Sequence, residues 1–112
     1  MKNVTLKIGD TIFWVHEGIR AGESFVWYYE EILYFNHEGK NDYEKIIIKL
    51  DNDKKIIKLD KHFHWKVWTK SIMKNKGNDS SEESYFSLDN VQIIAVNPSK
   101  HGLERLLLLY SF

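Results

Sequence analysis

The chain has no cysteine, a single proline, two arginines against fourteen lysines, and no net charge. Each shortage excludes something. Without cysteine there is no disulfide scaffold, no Cys-ligated zinc site and no thiol catalysis. Secreted domains of this size commonly lean on disulfides, so a cytoplasmic location is expected. Long apolar runs are also missing: Leu106 to Tyr110 is among the longest, far short of the ~20 residues that cross a bilayer. The opening Met1 to Ile8 holds no signal-peptide core, so a soluble chain without membrane partners is expected. Sixteen basic residues cancel sixteen acidic ones, which argues against a polyanion-coating protein and against an acidic mimic of DNA.

What is present suffices for a folded core. Of the 112 residues, 43% are apolar and 14% aromatic, which speaks against intrinsic disorder. The length suits one domain spanning residues 1–112. Twelve isoleucines and eight asparagines accompany the lysine excess. All three residues have A/T-rich codons, pointing to an AT-rich bacterial or phage genome.

Turn chemistry divides the first half into short units at Gly9-Asp10, Gly18, Gly22, 38–42 and 51–53. Between these turns lie runs rich in β-branched and aromatic residues: 4–8, 11–16, 23–29, 32–37, 43–50 and 54–59. Such spacing predicts a meander, barrel or sandwich. Val4, Leu6 and Ile8 alternate with Thr5 and Lys7, whereas Ile46-Ile47-Ile48 and Ile56-Ile57 do not alternate and predict strands covered on both faces. Residues 43–59, folded about Asp51-Asn52-Asp53, form the best hairpin pattern.

The segment 61–74 reads two ways. Asp60 can cap a helix that places Trp65, Trp68 and Ile72 on one face, yet residues 62–67 also alternate with period two. Residues 75–84 read as a polar loop, 85–96 as strand broken near Asp89-Asn90, and 103–112 as a closing strand or short helix with Leu106 to Leu109 buried. The expected fold is mainly β, a small antiparallel barrel or sandwich of six to eight strands. With a helix at 61–74 it becomes α+β.

Three groups of residues could carry function. His62 and His64 would project from one face of a strand and could grip an ion. No further ligand follows at a metal-site spacing, so no metal and no cofactor are expected. Residues 61–76 hold five lysines with Phe63, Trp65 and Trp68 and no acid. Lys61, Trp65, Lys66, Trp68 and Lys70 are therefore candidates for single-stranded nucleic acid, with ammonium groups on phosphates and rings on bases. Arginine, the bidentate reader of phosphate and guanine, is nearly absent. Third, Trp27, Tyr28 and Tyr29 are consecutive, so a strand cannot hide all three rings on one face. The surplus ring suits a protein interface. Trp65 is expected to anchor the core, because it points inward on either reading of its segment.

Catalysis finds no constellation. Glu30 and Glu31 are neighbours and would face opposite ways on a strand, and Gly18 to Gly22 lacks the Lys-Ser/Thr of a phosphate loop. The order of runs over 11–59, with Glu31 to Phe35 leading into 43–50 and 54–59, resembles the central strands of a LytTR-type DNA-binding domain. Ser84-Tyr85 is similar to that family's Ser-Tyr strand, but Asp79 to Glu83 stands where its basic stretch belongs, so no DNA contact carries over. The resemblance implies strands, then a helix, then the Ser-Tyr strand. Ile8 to Val15 likewise resembles the entry strands of SH3-like barrels. The functional expectation is a non-enzymatic protein-binding module, an accessory, immunity or inhibitor protein of a bacterium or phage. The alternative is a nucleic-acid-binding domain using 61–76.

Overall fold

Period-two patterning and tight turns organise the chain into antiparallel strands. In the computed structural model, residues 2–16, 27–58, 65–74 and 83–110 are described. They form β1 (Lys2–Lys7), β2 (Thr11–His16), β3 (Trp27–His37), β4 (Lys40–Tyr43), β5 (Lys45–Leu50), β6 (Ile56–Lys58), β7 (Trp65–Lys74), β8 (Glu83–Ser87), β9 (Val91–Val96) and the helix α1 (Lys100–Leu109). A single 3-10 turn, Leu88–Asn90, joins β8 to β9. The small sheet has the order β1-β5-β6, and the large one β8-β7-β3-β2-β9 with β4 beside β3. Each pairing between these strands is antiparallel. Neither sheet closes, and the sandwich-like, mainly β architecture is the one expected.

Local chemistry explains the corners. Glu38 and Gly39 both have positive φ (52° and 79°) between the paired residues His37 and Lys40, as a two-residue type I′ hairpin requires. After β1, the Asp10 amide donates to the Lys7 carbonyl at 3.0 Å, and Gly9 supplies the positive φ of 92° at the third turn position. Between β5 and β6, Asp51 Oδ1 accepts from the amides of Asp53 and Lys55 at 2.8 and 3.0 Å.

The sheets pack as layers with two cores. On one face of the large sheet, Ile12, Trp14, Ile32, Phe35, Val67 and Ile93 meet Leu6, Ile46, Ile48 and Leu50 of the small sheet. On the other, Phe13, Val15 and Trp27 are buried with Leu103, Leu106, Leu107 and Tyr110 against them. The central strand covered on both faces is therefore β2, where Ile12 to Val15 are all buried. The isoleucine runs turn out otherwise: Ile46 and Ile48 are buried, but Ile47 is 64% exposed and Ile57 44%. Among the described residues, only one face of the small sheet is covered, because α1 packs on the large sheet instead.

Three further expectations change. The described part of 61–74 is a strand, not a helix: Val67 and Thr69 are buried while Lys66 and Lys70 are exposed, and β7 pairs with both β3 and β8. Two flanking strands offer its β-branched and aromatic residues cross-strand partners that a lone helix would lack. The runs 23–29 and 32–37 merge across Glu30-Glu31 into β3 for residues 27–37, with 23–26 outside the described residues. A bulge at Leu33, between the pairs Ile32–Thr69 and Tyr34–Trp68, lets Ile32 and Phe35 both face the core despite their three-residue spacing. Glu83 and Ser84 belong to β8 rather than to a loop, and residues 75–82 lie outside the described residues.

The closing element is α1, capped by Ser99, whose Oγ accepts from the Gly102 amide at 3.0 Å. Leu106 and Leu107 turn toward the sheet, whereas Leu108 and Leu109 are 79% and 68% exposed, since a helix cannot bury four consecutive leucines on one side. Asn97 fixes the approach: its Oδ1 accepts from the Thr11 amide at 2.8 Å and its Nδ2 donates to Asp10 Oδ1 at 3.0 Å. Among the described residues, no helix is long and apolar enough to cross a membrane.

Candidate functional site

Strand alternation in the large sheet produces two aromatic clusters, one on each face. On the outer face, Tyr34 (β3), Trp68 (β7) and Tyr85 (β8) are cross-strand partners in register. Tyr34 stacks on Trp68 with ring centroids 5.5 Å apart and planes 18° apart, and Trp68 meets Tyr85 at 4.9 Å and 42°. Lys66 Nζ sits 4.9 Å from the Tyr85 centroid, a cation–π contact. These three rings belong to neither core, and Tyr85 is 53% exposed. One row along, Lys70 lies between Glu31 and Glu83, its partners on β3 and β8. The other flank is the row Asn36, Lys66 and Ser87.

On the inner face, near the end of β2 and the start of β3, a cleft of about 520 Å³ is lined from β2, β3, β8 and β9. Trp14 is the centre of a second stack, with Tyr28 at 4.3 Å on one side and Phe86 at 4.2 Å on the other. The His16 ring stands edge-on to both Trp14 and Tyr28, at 4.9 and 5.6 Å. Glu30, itself buried, also lines this cleft. Its Oε1 accepts from Trp14 Nε1 at 2.6 Å and from Thr69 Oγ1 at 3.0 Å. Burial pushes the Tyr28 phenol above its ordinary value, and the Glu30 charge pushes it the same way. Tyr28 therefore stays a neutral hydroxyl at physiological pH.

The sequence-derived candidates distribute unevenly over these sites. Trp27, Tyr28 and Tyr29 do alternate, which parts Tyr28 from the other two. Trp27 is buried, stacked on Phe13 at 5.3 Å, and Tyr29 packs beside it with its hydroxyl 3.3 Å from Thr11 Oγ1. Tyr28 alone faces the cleft. Of the basic-aromatic set, Lys66, Trp68 and Lys70 share the outer face, while Trp65 points inward. There it is half-buried against the main core, stacked flat on His37 at 4.3 Å and edge-on to Tyr43 at 4.8 Å. Trp68 thus does not share its face, as the helical reading would require. Lys61, His62 and His64 lie outside the described residues.

Tyr85, Trp14 and Phe86 were not singled out as site residues by sequence reasoning, and Glu30 was weighed only as a neighbour of Glu31. The signal for Glu30 was present: it occupies the inward period of Tyr28 and Ile32, which makes it a buried acid on any strand register that buries Ile32. The three-ring ladder had no local signal, because its members lie seventeen or more residues apart and meet only through strand pairing. Set against protein-family models, curated proteins and solved structures, the chain matches none of them.

Proposed function

We propose that the protein is a non-enzymatic protein-binding module that docks its partner on the outer face of β3, β7 and β8. The observation that carries this reading is the Tyr34–Trp68–Tyr85 ladder, an ordered aromatic strip left uncovered by α1 among the described residues. Rings already held by their neighbours lose little entropy on docking, and Trp and Tyr dominate interface energetics. An accessory, immunity or inhibitor role in a bacterium or phage accords with such a surface and with the codon-linked composition.

A single-stranded nucleic acid is the competing occupant, favoured by Lys66 and Lys70 on this face. Two features weigh against it. The ring faces are turned toward one another and toward Lys66, leaving edges rather than open platforms for base stacking. Lys70 is flanked in register by two carboxylates, which cancel its field on a phosphate chain.

The test pairs a capture experiment with a heparin column. Immobilised wild-type protein retains a partner from native lysate, and the Trp68→Ser, Tyr85→Ser double variant loses it, while wild type passes heparin at moderate salt. Salt-sensitive heparin retention that vanishes in the Lys66→Glu, Lys70→Glu variant would replace this reading with the nucleic-acid one.

A further inference from the structure

We infer that β8 pairs with β8 of a second copy of this chain, antiparallel and about a twofold axis through Tyr85. The inference does not rest on a foreign partner docking on the outer face, because it concerns the edge of the sheet and the purified chain alone.

A sheet that does not close has edges, and each edge offers backbone donors and acceptors to another strand. Most edges here are blunted. β1 carries Lys2 and Lys7 at its ends, β4 is four residues long with Lys40 and Asp42, and β6 has three residues. The turn at 53–55 closes on β9: the Ile93 amide donates to the Lys54 carbonyl at 3.0 Å, and Gln92 Nε2 to the Asp53 carbonyl at 2.7 Å. β8 has none of these guards except its shortness. It ends the large sheet, and among the described residues nothing pairs with its edge away from β7. Its one charged residue is Glu83 at the start, and its centre is the exposed Tyr85.

The sequence of β8 selects the occupant. Five residues paired antiparallel with themselves have one register that uses them all: Tyr85 opposite Tyr85, Ser84 opposite Phe86, and Glu83 opposite Ser87. Directly opposite residues share a face, so the outward Tyr85 and the buried Phe86 keep their sides.

Two features of the outer face match across this axis. The first is the ladder. Tyr34, Trp68 and Tyr85 continue into Tyr85, Trp68 and Tyr34 of the second copy, and the new ring pair falls at the strand spacing of about 4.8 Å. The second is charge. The row Glu31, Lys70 and Glu83 carries one net negative charge, and the row Asn36, Lys66 and Ser87 carries one net positive charge. The axis sets the negative row of each copy end to end with the positive row of the other. Only the small Ser87 stands between Lys66 and Glu83 of the second copy, so the two long side chains can meet over it. A strand of unrelated sequence would satisfy the backbone of the edge but neither match.

A five-residue edge buries little area, so the association is reversible. It also consumes the edge it uses, so assembly stops at two copies. Sedimentation velocity of the purified full-length protein, from about 5 μM to about 1 mM, is expected to show a monomer–dimer equilibrium with nothing larger. Glu83→Lys alone makes both rows positive, and Lys66→Glu alone makes both negative. Each is expected to weaken the dimer about tenfold or more while circular dichroism shows the fold intact. Mixed in equal amounts, the two variants are expected to recover wild-type affinity as a heterodimer, because every row again meets its opposite. Recovery on mixing reports the register itself, which a general change of surface charge would not reproduce. A monomer throughout the concentration range overturns the inference in the wild-type protein alone and leaves the edge to a strand of another chain. A dimer that neither reversal weakens, or a mixture no tighter than its components, overturns it as well.

Discussion

Two three-ring stacks cross the same sheet, one on each face, and they do opposite things. Tyr28–Trp14–Phe86 spans β3, β2 and β8 on the inner face, closes over a carboxylate and belongs to the main core. Tyr34–Trp68–Tyr85 spans β3, β7 and β8 on the outer face and belongs to no core. The residue types are nearly identical and the ring separations differ by about an ångström. What separates them is the layer above: the inner stack continues into a core shared with the small sheet, whereas α1 covers β2 and the start of β3 and leaves the outer ladder uncovered. An aromatic run thus acquires its role from what packs on it.

The largest expected difference between the two stacks is in stability. Trp14→Ala should cost about 3–5 kcal/mol in urea unfolding, through the cavity left in the core and the lost donor to Glu30. Trp68→Ala should cost about 1 kcal/mol, the scale of cross-strand pair energies on an open face. Equal losses would mean that the outer ladder is covered by something other than α1.

The polar floor of the inner stack sharpens the contrast. Thr69→Val removes a buried donor to Glu30 while keeping the side-chain shape, and is expected to cost about 1–3 kcal/mol. An unchanged urea midpoint would show that Thr69 does not support the carboxylate.

Alkaline titration probes the same cluster. Burial raises the pKa of Tyr28 and Tyr110 in the folded state. With folded values above the unfolded one of about 10, the unfolded chain releases its protons first as pH rises. Stability from these groups is full below pH ~10 and is lost as pH climbs through the folded values. Tyr28→Phe and Tyr110→Phe should each flatten the decline in melting temperature measured at pH 9–11, taken here as about the range bracketing that pKa.

The smallest expected effect falls on the outer stack. Tyr85→Ser should shift folding stability by no more than about 0.5–1 kcal/mol, since its ring is largely solvated. Calorimetry on the variant checks this, and a collapse of the fold would make Tyr85 structural rather than a docking residue.

Much of this architecture was determined by the sequence alone. Thr11–His16 read as a strand from its own composition, the Glu38-Gly39 turn from its glycine, and the break at Asp89-Asn90 from its turn residues. These are short-range features, governed by φ/ψ preferences and by side chains that alternate every second residue. The opposite placement of Glu30 and Glu31 was legible for the same reason. Tertiary structure alone decided which faces are covered. Identical-looking apolar runs met different fates in β2 and β5, because burial depends on which layer a strand faces and not on its own pattern. It also decided that residues 65–74 are a strand, since the pattern there fits both periods and only pairing to β3 and β8 breaks the tie. Both aromatic stacks belong to this second class: their members are far apart in sequence, strand register sets Trp14 beside Tyr28 and Trp68 beside Tyr34 and Tyr85, and Phe86 meets Trp14 from a strand that does not pair with β2.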